Sequence, residues 1–307
     1  MKPKTIFSII IPCKTKKDLC PELLPAIKDQ SYKNLEVIIA TDKQAGKNPA
    51  QKRNWASKKS KGEYLAFIDS DAYPDQNWLK NSLKLLTAPH LAAVCGPNLT
   101  PPNDNTGQQV SGYVWSTFIG AGGAGVYRNK EKKQRFVKDF PSSNLIVKKK
   151  DFNKIKGFNT HFWPGEDTKL CHDLVFTLKK KNLYHPSIKV FHHRRPIFIP
   201  HLKQISRFGY HRGLFTKILP KTSRLPGYVA PALFLPWLIL TFLFLPPIFY
   251  LTVNTYFLVT AITTISLIFK SNNPITGILF FVTIPLTHLV YGFFFLKGFF
   301  SRTPQSP

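Results

Sequence analysis

Along the N-terminal part of the chain, compact apolar runs alternate with amphipathic stretches. TIFSIIIP (Thr5 to Pro12) is rich in β-branched residues and stopped by proline, which predicts a buried strand. PELLPAIKDQ carries proline in its first turn and reads as a helix. LEVIIATD predicts a second strand ending at Asp42, and NPAQKRNWASKKSKG a helix stopped by Gly62. GEYLAFIDSDAYP predicts a third strand that runs straight into Asp69 and Asp71. QNWLKNSLKLL follows, with Trp78, Leu79, Leu83 and Leu86 on one helical face, and LAAVCGP predicts a fourth strand. Strands alternating with helices imply an α/β fold built on a parallel sheet.

The pattern then weakens. Residues 101–140, with GAGGAG (Gly120 to Gly125) and VYRNKEKKQR, show no clear period and read as a mobile loop matching neither a P-loop nor a dinucleotide fingerprint. From Tyr228 it changes in kind. YVAPALFLPWLILTFLFL, IFYLTVNTYFLVTAITTISLIF and ITGILFFVTIPLTHLVYGFFFL each approach the roughly 20 apolar residues that cross a hydrocarbon core. Proline in the first and His288 in the third leave room for a tilted or re-entrant course.

Charge sharpens this division. The chain has 43 Lys+Arg against 16 Asp+Glu, a formal net charge of +27 over 307 residues. From Leu225 onward there is no acid, and the bases are Lys270, Lys297 and Arg302. A strongly basic body beside an uncharged segment suits phosphorylated substrates or an anionic membrane surface. With that body on the inner side, three spans place Lys270 on the same side, as the positive-inside rule favours. Cys13, Cys20, Cys95 and Cys171 form no C-x-x-C pair and read as reduced thiols. The apolar run near the N-terminus is too short for a signal peptide, so the first domain is expected in the cytoplasm.

Ligands of open α/β sheets bind beyond the carboxyl ends of the strands, where Asp42, Asp69 and Asp71 fall. Carboxylates beside an apolar strand are costly unless a cation or strong donors compensate. Glu166 and Asp167 follow Gly165 at a helix start, where they serve as capping acids or as a general base facing a cleft. The strand SIKVF runs into HHRRP (His192 to Pro196), a cluster suited to metal and phosphate. HLKQISRFGYHRG (His201 to Gly213) reads as an interfacial amphipathic helix.

Taken together, SIIIP, NPAQKRNWA, FIDSDAYP, SSNLIVKK, GFNTHFWPGED and VFHHRRP make the chain resemble the membrane-anchored family 2 inverting glycosyltransferases of GT-A fold. The likeness runs from about Phe7 to Gly213, and QISRF resembles the family's Q-x-x-R-W motif with Phe208 in place of tryptophan. The resemblance implies a GT-A domain over 1–200, an interfacial segment over 201–227, a membrane region of about three helices over 228–298 and a tail over 299–307.

It also implies roles. Pro12 and Asp42 would border the nucleotide base, and Arg53 would lie close to the nucleotide. Asp69 would face ribose and metal, while Asp71, helped by His192 with His193 in reserve, would hold Mg²⁺ or Mn²⁺. Asp167 would be the catalytic base, Glu166 its positioner, and Trp163, Gln204, Arg207 and Phe208 would line the acceptor or diphosphate side. The expected partners are a nucleotide-diphosphate sugar, a lipid-linked or glycan acceptor and membrane lipids, in a multi-pass membrane protein with a cytoplasmic catalytic domain. Phe208 lacks the indole N–H and the membrane region is small, which favours single addition over polymerisation. A polyprenyl-phosphate sugar synthase is the rival within the enzymes. A membrane-tethered nucleic-acid-binding protein is the rival outside them, disfavoured because no reading motif accompanies the basic residues.

Overall fold

The computed structural model describes residues 6–123 and 125–302. Thr5, Ala124 and residues 303–307 of the expected tail lie outside the described residues. The chain divides into two compact units, one of Met1–Pro101 and Lys130–His193, the other of Pro102–Asn129 and Arg194–Pro307.

The first unit holds all ten described strands: β1 (Phe7–Pro12), β2 (Leu35–Ala40), β3 (Tyr64–Ile68), β4 (Ala72–Pro74), β5 (Leu91–Cys95), β6 (Asn98–Leu99), β7 (Arg135–Val137), β8 (Asn144–Lys148), β9 (Lys181–Tyr184) and β10 (Val190–His192). The main sheet has the order β2-β1-β3-β8-β5-β9-β7, and a small one the order β4-β10-β6. Every residue of β1, β5 and β8 is buried, consistent with near-continuous apolar runs in strands covered on both faces. Helices Leu23–Lys28 and Trp78–Leu86 close the core with Leu23, Ile27, Trp78, Leu79 and Leu86.

The sheet is mixed rather than wholly parallel. β1, β2 and β3 pair in parallel, but β8 enters between β3 and β5 antiparallel to both. Strand–helix alternation fixes direction only while crossover helices join successive strands. After β6 the chain leaves this unit at Pro101 and returns at Lys130, so no such crossover sets the direction of β8. Asn144, at the head of β8, is fully buried; its amide donates to Gly96 O and Ile188 O, each at 2.8 Å, and its Oδ1 accepts from the Trp78 indole at 2.8 Å.

The second unit is helical. Within the stretch expected to be a loop, the structure has helices Thr106–Ser116, Phe118–Ala121 and Val126–Asn129. Asn105 caps the first of these and exchanges hydrogen bonds with Gln108. Its buried apolar residues are only Val110 and Val114, which pack on Phe280 and Ile284 with Tyr113 partly buried beside them, so a periodicity reading has little to register.

Ile199–Ile218 forms one continuous helix, followed by three helices long and apolar enough to cross a membrane: Pro226–Phe244, Pro246–Ser271 and Pro274–Phe300. Residues 199–218 lie along the last of these with backbones nearly in contact. A Cβ on Gly213 would stand 2.0 Å from Phe295 O, and one on Gly298 1.9 Å from Tyr210 O. His288 accommodates its ring within the bundle through Tyr256 Oη and Ile119 O, both at 2.9 Å.

Candidate active site

The carboxyl ends of β1, β2 and β3 build the first edge of the site. Pro12 ends β1 opposite Ala40 of β2, and Asp42 opens the short helix Asp42–Ala45 directly after. Asp42 is ion-paired with the buried Lys52, whose ammonium also donates to Cys13 O at 2.8 Å. Lys52 and Arg53 stand on helix Pro49–Lys59, which starts cleanly because Asn48 accepts from Ala50 N–H and Pro49 occupies its first turn.

Arg53 is the hub. It is only 4% exposed, and its two terminal nitrogens donate to Asp69 Oδ1 and Glu166 Oε1, each at 2.8 Å. The guanidinium also lies 5.4 Å from the Phe158 ring centre. Burial alone would lower its pKa, but Asp69, Glu166 and Asp167 together raise it above its ordinary value. The cation is therefore permanent and fixes carboxylates from two distant parts of the chain.

Asp69 and Asp71 bracket the step from β3 to β4. Antiparallel pairing of β4 with β10 sets His192 opposite Ala72, and His192 Nε2 stands 3.1 Å from Asp71 Oδ1. One donor atom from each of Asp69, Asp71 and His192 falls within 4.8 Å of the others. Two hard carboxylates and an imidazole fit a divalent cation such as Mg²⁺ or Mn²⁺.

Glu166 and Asp167 open helix Glu166–His172. Gly165 before them has φ of 122°, a conformation that favours glycine. Asp167 is half-buried and accepts from Thr168 N–H at 2.8 Å. Burial, then the charges of Glu166 and Asp139, push its pKa up to about 7, while Arg53 pulls the other way. An acid so placed can exchange a proton near neutrality, as a general base must.

The structure thus brings together Arg53, Asp69 and Glu166, with Asp167 adjoining, and separately Asp69, Asp71 and His192. Trp163 is half-exposed in the same unit. Gln204, Arg207 and Phe208 belong to the second unit, on helix Ile199–Ile218, at a spacing that puts them on one face. Arg207 and Phe208 are exposed, and Trp115 packs edge-on against Phe208 with ring centres 5.7 Å apart. His201, on the same helix, is buried between Ser111 Oγ and Thr287 Oγ1, and burial pushes its pKa down to about 4. It is a neutral structural residue.

Several participants escape the sequence reading. Lys52 was visible beside Arg53 in NPAQKRNWA, but its pairing with Asp42 depends on the helix register. Asp139, buried and electrostatically coupled to Asp167, lies in the stretch without a period, and nothing local marks it. Trp115 likewise lies on a helix that was not expected.

The chain is similar to known glycosyltransferases. The profile of Glycosyl transferase family 2 matches residues 43–156. Glycosyltransferase AglE of Haloferax volcanii is 30% identical over 105 residues, which are 34% of this chain and 33% of that protein, so the match spans a third of the relative's length. The dolichyl N-acetyl-alpha-D-glucosaminyl phosphate 3-beta-D-2,3-diacetamido-2,3-dideoxy-beta-D-glucuronosyltransferase of Methanococcus voltae is 24% identical over 259 residues, covering 80% of this chain and 73% of that protein. Among solved structures, the mannosyltransferase PcManGT from Pyrobaculum calidifontis, in complex with GDP-Man and Mn²⁺, superposes with a TM-score of 0.56 at 16% identity. The superposition covers 94% of this chain and 88% of that one, and shows the shared GT-A fold. Sequence profile, relatives and fold together support a family 2 glycosyltransferase.

Proposed function

We propose that this protein is a membrane-bound, inverting glycosyltransferase that moves a sugar from a nucleotide diphosphate to a hydroxyl of a lipid-linked or membrane-proximal glycan. The observation that carries the reading is Arg53, whose single buried guanidinium joins Asp69 at the end of β3 to Glu166 beside Asp167. The residues suited to the donor and the candidate base are thereby held in one rigid frame. In this reading Pro12 and Asp42 border the base of the nucleotide, Asp69 meets its ribose, and Trp163, Gln204, Arg207 and Phe208 face the acceptor.

Asp69, Asp71 and His192 would hold the divalent cation, which when bound supplies positive charge to the departing diphosphate. Asp167 takes the acceptor hydroxyl's proton as that oxygen bonds to the anomeric carbon. The bond from that carbon to the diphosphate oxygen breaks, and the nucleoside diphosphate leaves with the electron pair. One displacement inverts the anomeric centre. Glu166, held by Arg53 and by Gly165 N–H at 3.0 Å, fixes the start of the helix that carries Asp167. The three apolar helices would span a cell membrane, with the basic catalytic unit on the cytoplasmic face. A relative whose name gives a dolichyl-linked sugar phosphate as its acceptor supports the lipid-linked class.

A second reading, sugar transfer onto a polyprenyl phosphate, is favoured by the absence of any Asp or Glu from Arg194 to the end. Such a surface suits a lipid phosphate, whose ionised oxygen needs no base. Membranes containing the protein, given a panel of nucleotide sugars with Mn²⁺ or Mg²⁺, separate the two. Asp71→Ala should abolish acceptor-dependent release of nucleoside diphosphate in both. Asp167→Asn should cost at least about 10²-fold only when the acceptor is a hydroxyl. If no nucleotide sugar is turned over and tight, salt-sensitive RNA or DNA binding appears instead, the transferase reading is wrong.

A further inference from the structure

The doublet His192–His193 has only its first member in the candidate active site. Successive side chains of an extended strand project to opposite faces. His193 N–H donates to Asp71 O at 3.0 Å and so continues the β4–β10 ladder by one residue. While His192 turns toward Asp71 and Asp69, His193 turns the other way, toward Glu22 and Cys20. Its Nε2 stands 3.4 Å from Glu22 Oε2. One donor atom from each of Cys20, Glu22 and His193 lies within 4.8 Å of the others, and all three residues are half-buried.

We propose that Cys20, Glu22 and His193 form a second metal site, selective for a zinc-class divalent cation and separate from the site at Asp69, Asp71 and His192. A direct N–H···O bond has its heavy atoms at about 2.7–3.2 Å. Two ligands each about 2.0–2.1 Å from a tetrahedral ion stand roughly 3.4 Å apart, which is the spacing of His193 and Glu22. One thiolate, one imidazole and one carboxylate are the donors of a borderline-soft ion, and three protein ligands leave the fourth position open. The oxygen-dominated Asp69–Asp71 pair instead suits a hard ion.

The ligands are anchored to the segment that carries Asp71. Cys20 N–H donates to Ser70 O at 2.8 Å, and Cys20 Sγ lies 3.6 Å from Ala72 O. The Tyr73 ring sits 5.9 Å from that of His193. A cation at this site ties the Cys20–Glu22 turn to the end of β10 and braces residues 70–72 from the face opposite the first site.

The site rests on no assumption about sugar transfer, and its test needs no turnover. Metal-stripped full-length protein in detergent is titrated with Co²⁺ in excess Mg²⁺, and the near-ultraviolet thiolate-to-cobalt charge-transfer band is followed. The first site has no sulfur, so the band reports the second alone. The expected result is a saturable band that Zn²⁺ removes, Mg²⁺ leaves intact and Cys20→Ser abolishes. Glu22→Gln and His193→Gln should each move the titration to at least about tenfold higher Co²⁺. Absence of the band in the unmodified protein overturns the proposal. So does a full band in Cys20→Ser, which would assign it to another thiol, or unchanged affinity in both other variants.

Discussion

Replacing Arg53 by methionine tests the frame most directly. Arg53 is 4% exposed and the Glu166 side chain 8% exposed, so both sit where water screens little. Methionine retains much of the stem's bulk but removes both 2.8 Å contacts, leaving Asp69 and Glu166 without their countercharge. Removing one partner of a buried ion pair costs about 3–5 kcal/mol, mostly as the penalty on the charge left behind. Because Asp69 retains partial exposure, the lower part of that range is expected. Arg53→Lys keeps the charge but cannot donate through a fork to both acids, and should fall between. Urea unfolding of the purified protein followed by tryptophan fluorescence gives the loss at neutral pH and again in mild acid, where the stranded carboxylates take up protons and the deficit shrinks. The variant should also move the pH midpoint of catalysis above that of the unmodified enzyme, since Arg53 lowers the Asp167 pKa. A stability loss below about 1 kcal/mol, the scale of an exposed pair, refutes the reasoning. A loss independent of pH does the same, because it would trace to packing rather than charge.

Asp167 has a folded-state pKa of about 7 against an ordinary 3.8. The rate should therefore rise as pH increases through about 7, and a flat profile would exclude Asp167 as the base. Stability should run the opposite way: the unfolded chain gives up this proton at lower pH than the folded one, so stability falls as pH climbs from 3.8 to about 7. Asp167→Asn should remove that slope from a plot of urea midpoint against pH. Asn144→Ala should cost about 2–3 kcal/mol, because it leaves the Trp78 indole and two backbone carbonyls unpaired in the core; an unchanged urea midpoint would show that water replaces the amide.

Most strands and helices up to Cys95 were legible: β1, β3 and β5 bury near-continuous apolar runs and helix Trp78–Leu86 a regular face, whereas the short helix Asp42–Ala45 and the separate strand β4 carry no such signal. The same rule misled on strand direction. β8 looks like any buried strand, and nothing in NLIVK records that it pairs antiparallel with both β3 and β5. Helix Thr106–Ser116 was missed for a related reason. Its cap, Asn105 with Gln108, was readable, but Val110 and Val114 are its only buried apolar side chains, joined by the partly buried Tyr113 and set among glycine, serine and glutamine. Apolar helices with no acid at all, by contrast, could hardly be read otherwise, and Pro226–Phe244, Pro246–Ser271 and Pro274–Phe300 fall close to the segments expected.

At the site, sequence could name candidate residues but not their partners. Asp69, Asp71 and Asp167 stand out because acids are scarce in this chain. That Arg53 bridges two of the clusters follows only from how helix Pro49–Lys59 lies on the sheet. The histidine doublet shows the limit best. In sequence His192 is the better match for one role and His193 its reserve. In the fold the strand's alternation makes them incompatible with a shared one, since a side chain facing Asp71 on one face commits its neighbour to Glu22 and Cys20 on the other. Adjacent histidines on a strand thus face different partners, and His193 cannot stand in for His192 beside Asp71 while the strand keeps its register.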